Sequence, residues 1–291
     1  MKKTTNNDGL STIYIISKGR PQCKTAETLQ KIGYDGDWFI VCGNNDETLP
    51  EYIEKWGKEK VLVFDWYEEI KKTDVMDNFG FEKMPSGASP VRNAVFDFSR
   101  ARGERRHWQM DDDFFRFDLT NTEMSKNSRI DGHLLFYWLK RIARFADEAK
   151  LANIGISLRD ESFPTDAKAF TSRVYAVHNM SNDPNLTPRW KGRFNDDTIH
   201  AITVHRLGKL KEMNLKFIST DTPRSQQEAG GLTDMYKELG TVRKTAYIIL
   251  MAPNATKLAI AHGRYHHKVD WSKLVVKTIS EKWKRQENTI G

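Results

Sequence analysis

Cysteine is nearly absent from this 291-residue chain: Cys23 and Cys42 are the only two, with no C-x-x-C spacing. That excludes a zinc ribbon or a disulfide framework and leaves two ordinary thiols. Long apolar runs are missing too, since no stretch approaches the roughly 20 residues that cross a bilayer, so no membrane partner is expected. The polar opening, Met1 to Asp8, lacks the apolar core of a signal peptide, which points to the cytoplasm. Internal repeats and low-complexity segments are also lacking. What is present is globular in character, with 38% hydrophobic and 11% aromatic residues. A net charge of +7 favours a polyanionic partner.

Thr12 to Ile16 is a continuous β-rich apolar run, as expected of a strand buried on both faces of a parallel sheet. It ends in Ser17-Lys18-Gly19-Arg20-Pro21. Residues 25–32 read as a short helix stopped by Gly33, and Trp38 to Val41 as a second strand. A helix at Leu49 to Trp56 then precedes a third strand, Val61 to Phe64. Strands alternating with helices make a βαβαβ unit and predict a parallel sheet, whose ligands bind beyond the carboxyl ends of the strands. Ser17 to Arg20, Gly43 to Asp46 and Asp65 to Tyr67 fall there. After an aperiodic stretch over 74–89, Ser89 as cap and Pro90 at the first helical position start a helix that Gly103 stops.

That helix feeds Trp108-Gln109-Met110-Asp111-Asp112-Asp113-Phe114-Phe115, in which an apolar strand runs into three consecutive carboxylates. Adjacent like charges among aromatics are costly to desolvate. The stretch is therefore either an acidic turn or the seat of a hard divalent cation, which takes carboxylate and phosphate oxygens together. Alternation along a strand puts Asp111 and Asp113 on one face and turns Asp112 away, so Asp112→Ala is expected to be tolerated where Asp113→Ala is not. A helix leading into a parallel strand runs antiparallel to it. Arg92 and Asn93 should thus lie at the aspartate edge, and Arg100, Arg102, Arg105 and Arg106 at the opposite one, as a solvated turn.

Further on, Asp131 to Lys150 reads as an amphipathic helix with Leu134, Leu135, Trp138, Ile142 and Phe145 inward. Ile154 to Leu158 and Val174 to Val177 read as strands, and Asn179 to Lys191 as loop. A helix opens at Phe194-Asn195-Asp196-Asp197-Thr198 and runs to Lys211, with Ile199, Ile202 and Leu207 inward. Pro223 to Thr241 reads as loop with a short helix at Thr233 to Leu239, and Tyr247 to Met251 as a strand. A histidine-rich segment around His262 to His267 and a basic final helix complete the chain.

In order, the Ile-Ile-Ser-Lys-Gly-Arg-Pro strand end, Pro90-Val91-Arg92-Asn93-Ala94, Gln-Met-Asp-Asp-Asp-Phe and Trp190-Lys191-Gly192-Arg193-Phe194-Asn195-Asp196-Asp197 resemble the GT-A class of nucleotide-sugar glycosyltransferases. With the late Gly-Arg-x-His segment they most resemble the TET-associated glycosyltransferases of bacteriophages. The resemblance implies one GT-A domain over 1–291, an α/β Rossmann-like fold with a mostly parallel central sheet flanked by helices. Its donor half would span about residues 12–120 and its acceptor half about 121–291, with a basic tail. It implies a UDP-sugar donor (UDP-glucose or UDP-arabinose-like), Mn²⁺ or Mg²⁺, and 5-hydroxymethylcytosine in phage DNA as acceptor, in the cytoplasm of the bacterial host.

By the same resemblance Asp113 binds the metal, Asp111 the ribose or a metal-bound water, and His266 completes the shell, with His262 and His267 as alternatives. Ser17, Lys18 and Arg20 contact uridine and diphosphate, and Arg92 holds phosphate or orders the aspartates. Asp197, with Asp196 behind it, is the candidate base that deprotonates the acceptor hydroxyl, or else a helix cap. The motif is Asn-Asp-Asp where Glu-Asp is more usual, which leaves the choice of carboxylate open. Trp190, Lys191 and Arg193, with tail lysines Lys273, Lys277, Lys282 and Lys284, would stack on a flipped base and contact phosphates.

Overall fold

The computed structural model describes residues 9–75, 87–121, 126–158, 177–207, 212–223, 233–261 and 263–274. The expected βαβαβ start is present as β1 (Ile13–Ile16), α1 (Lys24–Lys31), β2 (Trp38–Gly43), α2 (Leu49–Trp56) and β3 (Val61–Phe64). One helix went unforeseen, α3 (Trp66–Lys72), which Asp65 caps by accepting the Glu68 amide at 3.1 Å. Then come α4 (Ser89–Ala101) and β4 (Arg106–Asp111), followed by β5 (Arg116–Asn121), β6 (Lys126–Arg129), α5 (Gly132–Glu148), β7 (Asn153–Leu158) and β8 (Val177–Ser181). The chain continues with α6 (Asp196–Arg206), β9 (Glu212–Asp221), α7 (Thr233–Met251) and the hairpin β10 (Thr256–Ala261) and β11 (Arg264–Val269).

The main sheet has the order β3-β2-β1-β4-β8-β7-β9-β5-β6. Pairing is parallel through β3, β2, β1 and β4 and again between β7 and β9, and antiparallel at the remaining four junctions. The α/β class and the helix-flanked Rossmann-like half are as the resemblance implied, with parallel pairing concentrated in the half that carries the first three strands. Alternate residues of the central strands serve two cores. Ile13, Ile15, Trp108 and Met110 pack with Leu29 of α1, Tyr52 of α2 and Leu135, Leu139 and Ile142 of α5. Tyr14 and Ile16 pack on the other face with Ile70 of α3 and Ala94 and Val95 of α4. Burying each such side chain contributes about 1.5–3 kcal/mol, which is why both helical layers are held.

Several expectations are corrected. Ala88, not Ser89, caps α4, and the Ser89 hydroxyl donates instead to the Gly192 carbonyl at 2.8 Å. Arg106 is no part of a solvated turn: it is buried, donating to Asn179 Oδ1 at 2.7 Å and to the carbonyls of Leu151 and Asn179, and burial lowers its pKa to about 10. Phe145 and Leu207 face outward, 45% and 52% exposed. Tyr247 to Met251 belongs to α7, where Tyr247 and Ile248 pack with Phe194, Ile199 and Ile202, so helix contacts overrode a β-branched run. β5, β6, β9 and the β10–β11 hairpin were not foreseen, and β8 begins where the expected strand ends, making Asn179 to Ser181 strand and not loop. Part of that expected strand, 174–176, His262, most of the 74–89 stretch and the tail beyond Leu274 lie outside the described residues. No helix among the described residues is long and apolar enough to cross a membrane.

Asp131 caps α5 as expected, accepting the Leu134 amide at 2.8 Å. The Gly132 amide donates to the Ile32 carbonyl at 2.7 Å, and a Cβ on Gly132 would lie 2.3 Å from Gly33 C and Tyr34 N. Backbone on both sides leaves no flexible atom to yield. Gly132→Ala is therefore expected to destabilise the protein by about 1–3 kcal/mol, read as a lower midpoint in urea denaturation.

Candidate active site

Four strand ends and the starts of α1, α4 and α6 converge at a single edge. Beyond β1, the Ser17 hydroxyl donates to Asp112 Oδ2 at 2.5 Å and shares a 2.5 Å hydrogen bond with the Tyr52 hydroxyl. Arg20 pairs with Asp112 at 2.9 Å, and its amide donates to the Tyr52 hydroxyl. The loop is tied to the end of β2 by the Gly19 amide, which donates to Asp46 Oδ2 at 2.8 Å, with Gly19 at φ 68 where a side chain would be strained. Ser17 is thus a buried brace for Asp112. Lys18 is exposed beside it, its ammonium 5.2 Å from the Trp66 ring centre. Tyr52 and Asp46 were missed as contributors, because nothing in a helix stripe or a strand-end acid announces which loop it will hold.

β4 ends at Asp111, which pairs with Arg92 of α4, while Asp112, in the turn that follows, meets Ser17 and Arg20. The turn is clamped by the start of α1: the Thr25 amide donates to the Asp112 carbonyl at 3.1 Å, and its hydroxyl donates to the Asp111 carbonyl and accepts the Phe114 amide. Asp112 is only 6% exposed, and burial raises its pKa against the opposing pull of Arg20 and Ser17. It is a built-in anchor, so the expectation that Asp112→Ala is harmless fails: that change strands Ser17 and Arg20. Asp113 differs. Its carboxylate accepts a hydrogen bond from its own backbone amide and forms no ion pair with any described residue, and burial, reinforced by Asp111 and Asp112, pushes its pKa up to about 7.

Arg92, in the first turns of α4, reaches Asp111 at 2.9 Å and Asp196 at 2.8 Å. Its guanidinium carbon lies 4.8 Å from the Trp190 ring centre, and its Nη1 is buried with no hydrogen-bond partner among the described residues. Burial acts to lower the Arg92 pKa, but Asp111 and Asp196 outweigh it and the net shift is upward. Asp196 is buried, and burial together with Asp197 and Asp111 raises its pKa despite Arg92. Asp197, next along α6, is half-buried. Neither aspartate caps α6; that position is Asn195, at φ 50, whose amide donates to the Lys244 carbonyl at 2.8 Å.

The structure does not place the expected acceptor residues at a surface. Trp190 is 1% exposed, packed with Phe96 and Met180 and stacked at 4.3 Å on His200, so no base can reach its ring. Arg193 is fully buried. Lys191 alone is accessible, 3.4 Å from Asp74. The apolar neighbours that made Trp190 look like a stacking platform are its core partners. His266 lies on β11 opposite Ala259, and among the described residues no three His, Cys, Asp or Glu side chains group to hold a metal. Of the tail lysines, Lys273 lies 3.8 Å from Asp270 and the others fall outside the described residues.

The donors at this edge fit a hard divalent cation. Asp113 is a partly buried carboxylate with no ion pair to a described residue, beside half-exposed Asp111, and oxygen donors suit Mg²⁺ or Mn²⁺. The raised pKa has a sign that can be tested. Folded Asp113 titrates near 7 and unfolded near 3.8, so the folded state binds the extra proton between those values and stability falls as pH rises through the window. Metal-free Asp113→Asn should therefore gain in thermal midpoint relative to the parent between about pH 4 and 7 and hold that gain above it. Mn²⁺ at a hundredfold excess over its Kd should stabilise the parent by about 2.7 kcal/mol and the variant far less. Equal stabilisation of both would remove Asp113 from the metal. Asp112→Ala should lower stability by about 1–3 kcal/mol in urea titration.

Residues 11–231 match the family model described as TET-Associated Glycosyltransferase. No curated protein matches the chain. Among solved structures, the chain is similar to glucosyl-3-phosphoglycerate synthase from Mycobacterium tuberculosis in complex with Mn²⁺ and uridine-diphosphate-glucose, at 9% identity and a TM-score of 0.49, over 89% of this chain and 86% of that one. With its family model matched over more than half of its length, this chain belongs to the TET-associated glycosyltransferases and is a glycosyltransferase.

Proposed function

We propose that the protein transfers a sugar, glucose or an arabinose-like pentose, from a UDP-sugar to the hydroxymethyl group of 5-hydroxymethylcytosine in phage DNA. The observation that carries this reading is the edge where Asp113 has no ion pair with a described residue while Arg92 ties Asp111 to Asp196 of α6. Donor and acceptor groups so joined suit a reaction in which a diphosphate leaves as a hydroxyl attacks. In this reading residues up to about 120 serve the donor and the remainder the acceptor, within one domain.

Asp113 and Asp111 would hold Mn²⁺ or Mg²⁺, which when bound neutralises charge on the departing diphosphate. Lys18, exposed at the end of β1, offers a cation to the same phosphates, and the buried Nη1 of Arg92 is a further donor. Ser17 and Arg20 act indirectly, by holding Asp112 and hence the turn that carries Asp113. Asp196 is held by Arg92 in a buried ion pair, and half-buried Asp197, the next residue of α6, is the base that accepts the proton of the attacking hydroxymethyl group in an inverting transfer. A base in duplex DNA reaches the anomeric carbon only when flipped from the stack. The net positive charge favours such an acceptor.

Mass spectrometry of hydroxymethylated and unmodified DNA, after incubation with a panel of UDP-sugars and Mn²⁺, decides the reading. The expected result is the gain of one hexosyl or pentosyl residue on hydroxymethylated DNA alone. Transfer to a glycan or protein with neither DNA modified would overturn it. Asp197→Asn should lower kcat by about 10²–10⁴-fold while leaving UDP-sugar affinity unchanged.

A further inference from the structure

The outward face of α5 carries a groove of about 460 Å³ that the transfer reaction does not use. Phe136, Tyr137, Lys140, Arg141, Arg144 and Phe145 line it, recurring at the helical spacing opposite the buried Leu135, Leu139, Ile142 and Ala143. Two features set it apart from an ordinary solvated helix face. Its aromatics are uncovered, Tyr137 at 42% and Phe145 at 45%. Its cations lie against them, with the Arg141 guanidinium 4.8 Å from the Tyr137 ring centre and the Lys140 ammonium 5.8 Å from that of Phe136. Arg141 and Arg144 form no ion pair with a described residue, and Glu148 is the one carboxylate among the lining side chains.

We propose that this groove is a docking surface for nucleic acid, holding the acceptor DNA at a distance from the reacting sugar; the inference rests on the DNA-acceptor reading above. Three cations against one carboxylate supply phosphate contacts, and exposed rings beside guanidinium groups supply faces for bases or sugars. Its position fixes its role. α5 starts against the Ile32–Gly33 turn, which leads into the amino end of β2, and Asp147 near its other end pairs at 2.7 Å with Arg105, just before β4. Both anchors lie on the edge opposite Asp111 to Asp113. The surface therefore strengthens capture of long DNA without touching the chemistry, and a short acceptor that cannot span both edges gains nothing from it.

The test uses the full chain with Arg141→Gln and Arg144→Gln combined, and separately Tyr137→Ala, each checked for an unchanged melting curve. Fluorescence anisotropy with a long duplex is followed over a range of salt concentrations. Loss of two phosphate contacts should flatten the slope of log K against log salt by about 1.8. KM for long hydroxymethylated DNA should rise about tenfold or more, while kcat, and KM for a short oligonucleotide, stay at the parental values. Parental binding and slope in both variants would overturn the proposal, as would variants that lose binding to anionic phospholipid vesicles while DNA binding is unchanged. If the parent protein binds no DNA at all, the acceptor reading itself falls and the docking surface with it, an outcome distinct from the first two.

Discussion

One guanidinium holds the reactive edge together. Arg92 sits between Asp111 of β4 and Asp196 of α6, with the Trp190 ring against its face. A buried cation so placed is costly to desolvate, and removing one partner of such a pair typically costs about 3–5 kcal/mol. One positive charge faces two direct carboxylates, with Asp197 and Asp113 nearby, so the edge is acidic in excess. Burial, reinforced by the neighbouring Asp111 and Asp112, is what raises Asp113, and the excess makes the edge a place where a divalent cation and an anionic ligand together relieve the strain of like charges.

The surroundings make this geometry rigid. The start of α1 clamps the turn through Thr25, and Thr28 adds a hydroxyl to the Phe114 carbonyl at 3.1 Å. On the other side the Gln109 amide donates to the Arg92 carbonyl, fastening α4 to β4 below the ion pairs. Asn93 exchanges hydrogen bonds with the Trp190 backbone, which fixes the segment leading to α6. Arg92 and Asn93 are consecutive, so one turn of α4 organises both Asp111 of β4 and the Trp190-to-Asp196 segment. Pro90 within that first turn keeps the helix start in place.

The proposed division of labour between edges follows from the same topology. The acidic groups proposed to serve the chemistry gather at the carboxyl ends of the parallel strands, while the cationic and aromatic face of α5 is anchored at the amino ends. Substrate handling and chemistry are thereby separated by the length of a strand.

By itself the sequence determined the elements with a strong local period. β1 to β3 with their intervening helices, the antiparallel run of α4 into β4, and the meeting of Arg92 with the triple aspartate all followed from apolar spacing and chain direction, because in a parallel sheet direction alone assigns each loop to an edge. Tertiary structure decided everything that depends on which neighbour arrives from far along the chain. Trp190 and Arg193, which read as surface contacts, are both buried, Trp190 because Phe96, Met180 and His200 close over it. β9 and α7 were misread because their partners, β7 and α6, compensate for weak local patterns. Asp112 looked expendable and is an anchor, since a carboxylate's worth is set by the Ser17 and Arg20 that it meets across 92 or more residues of chain.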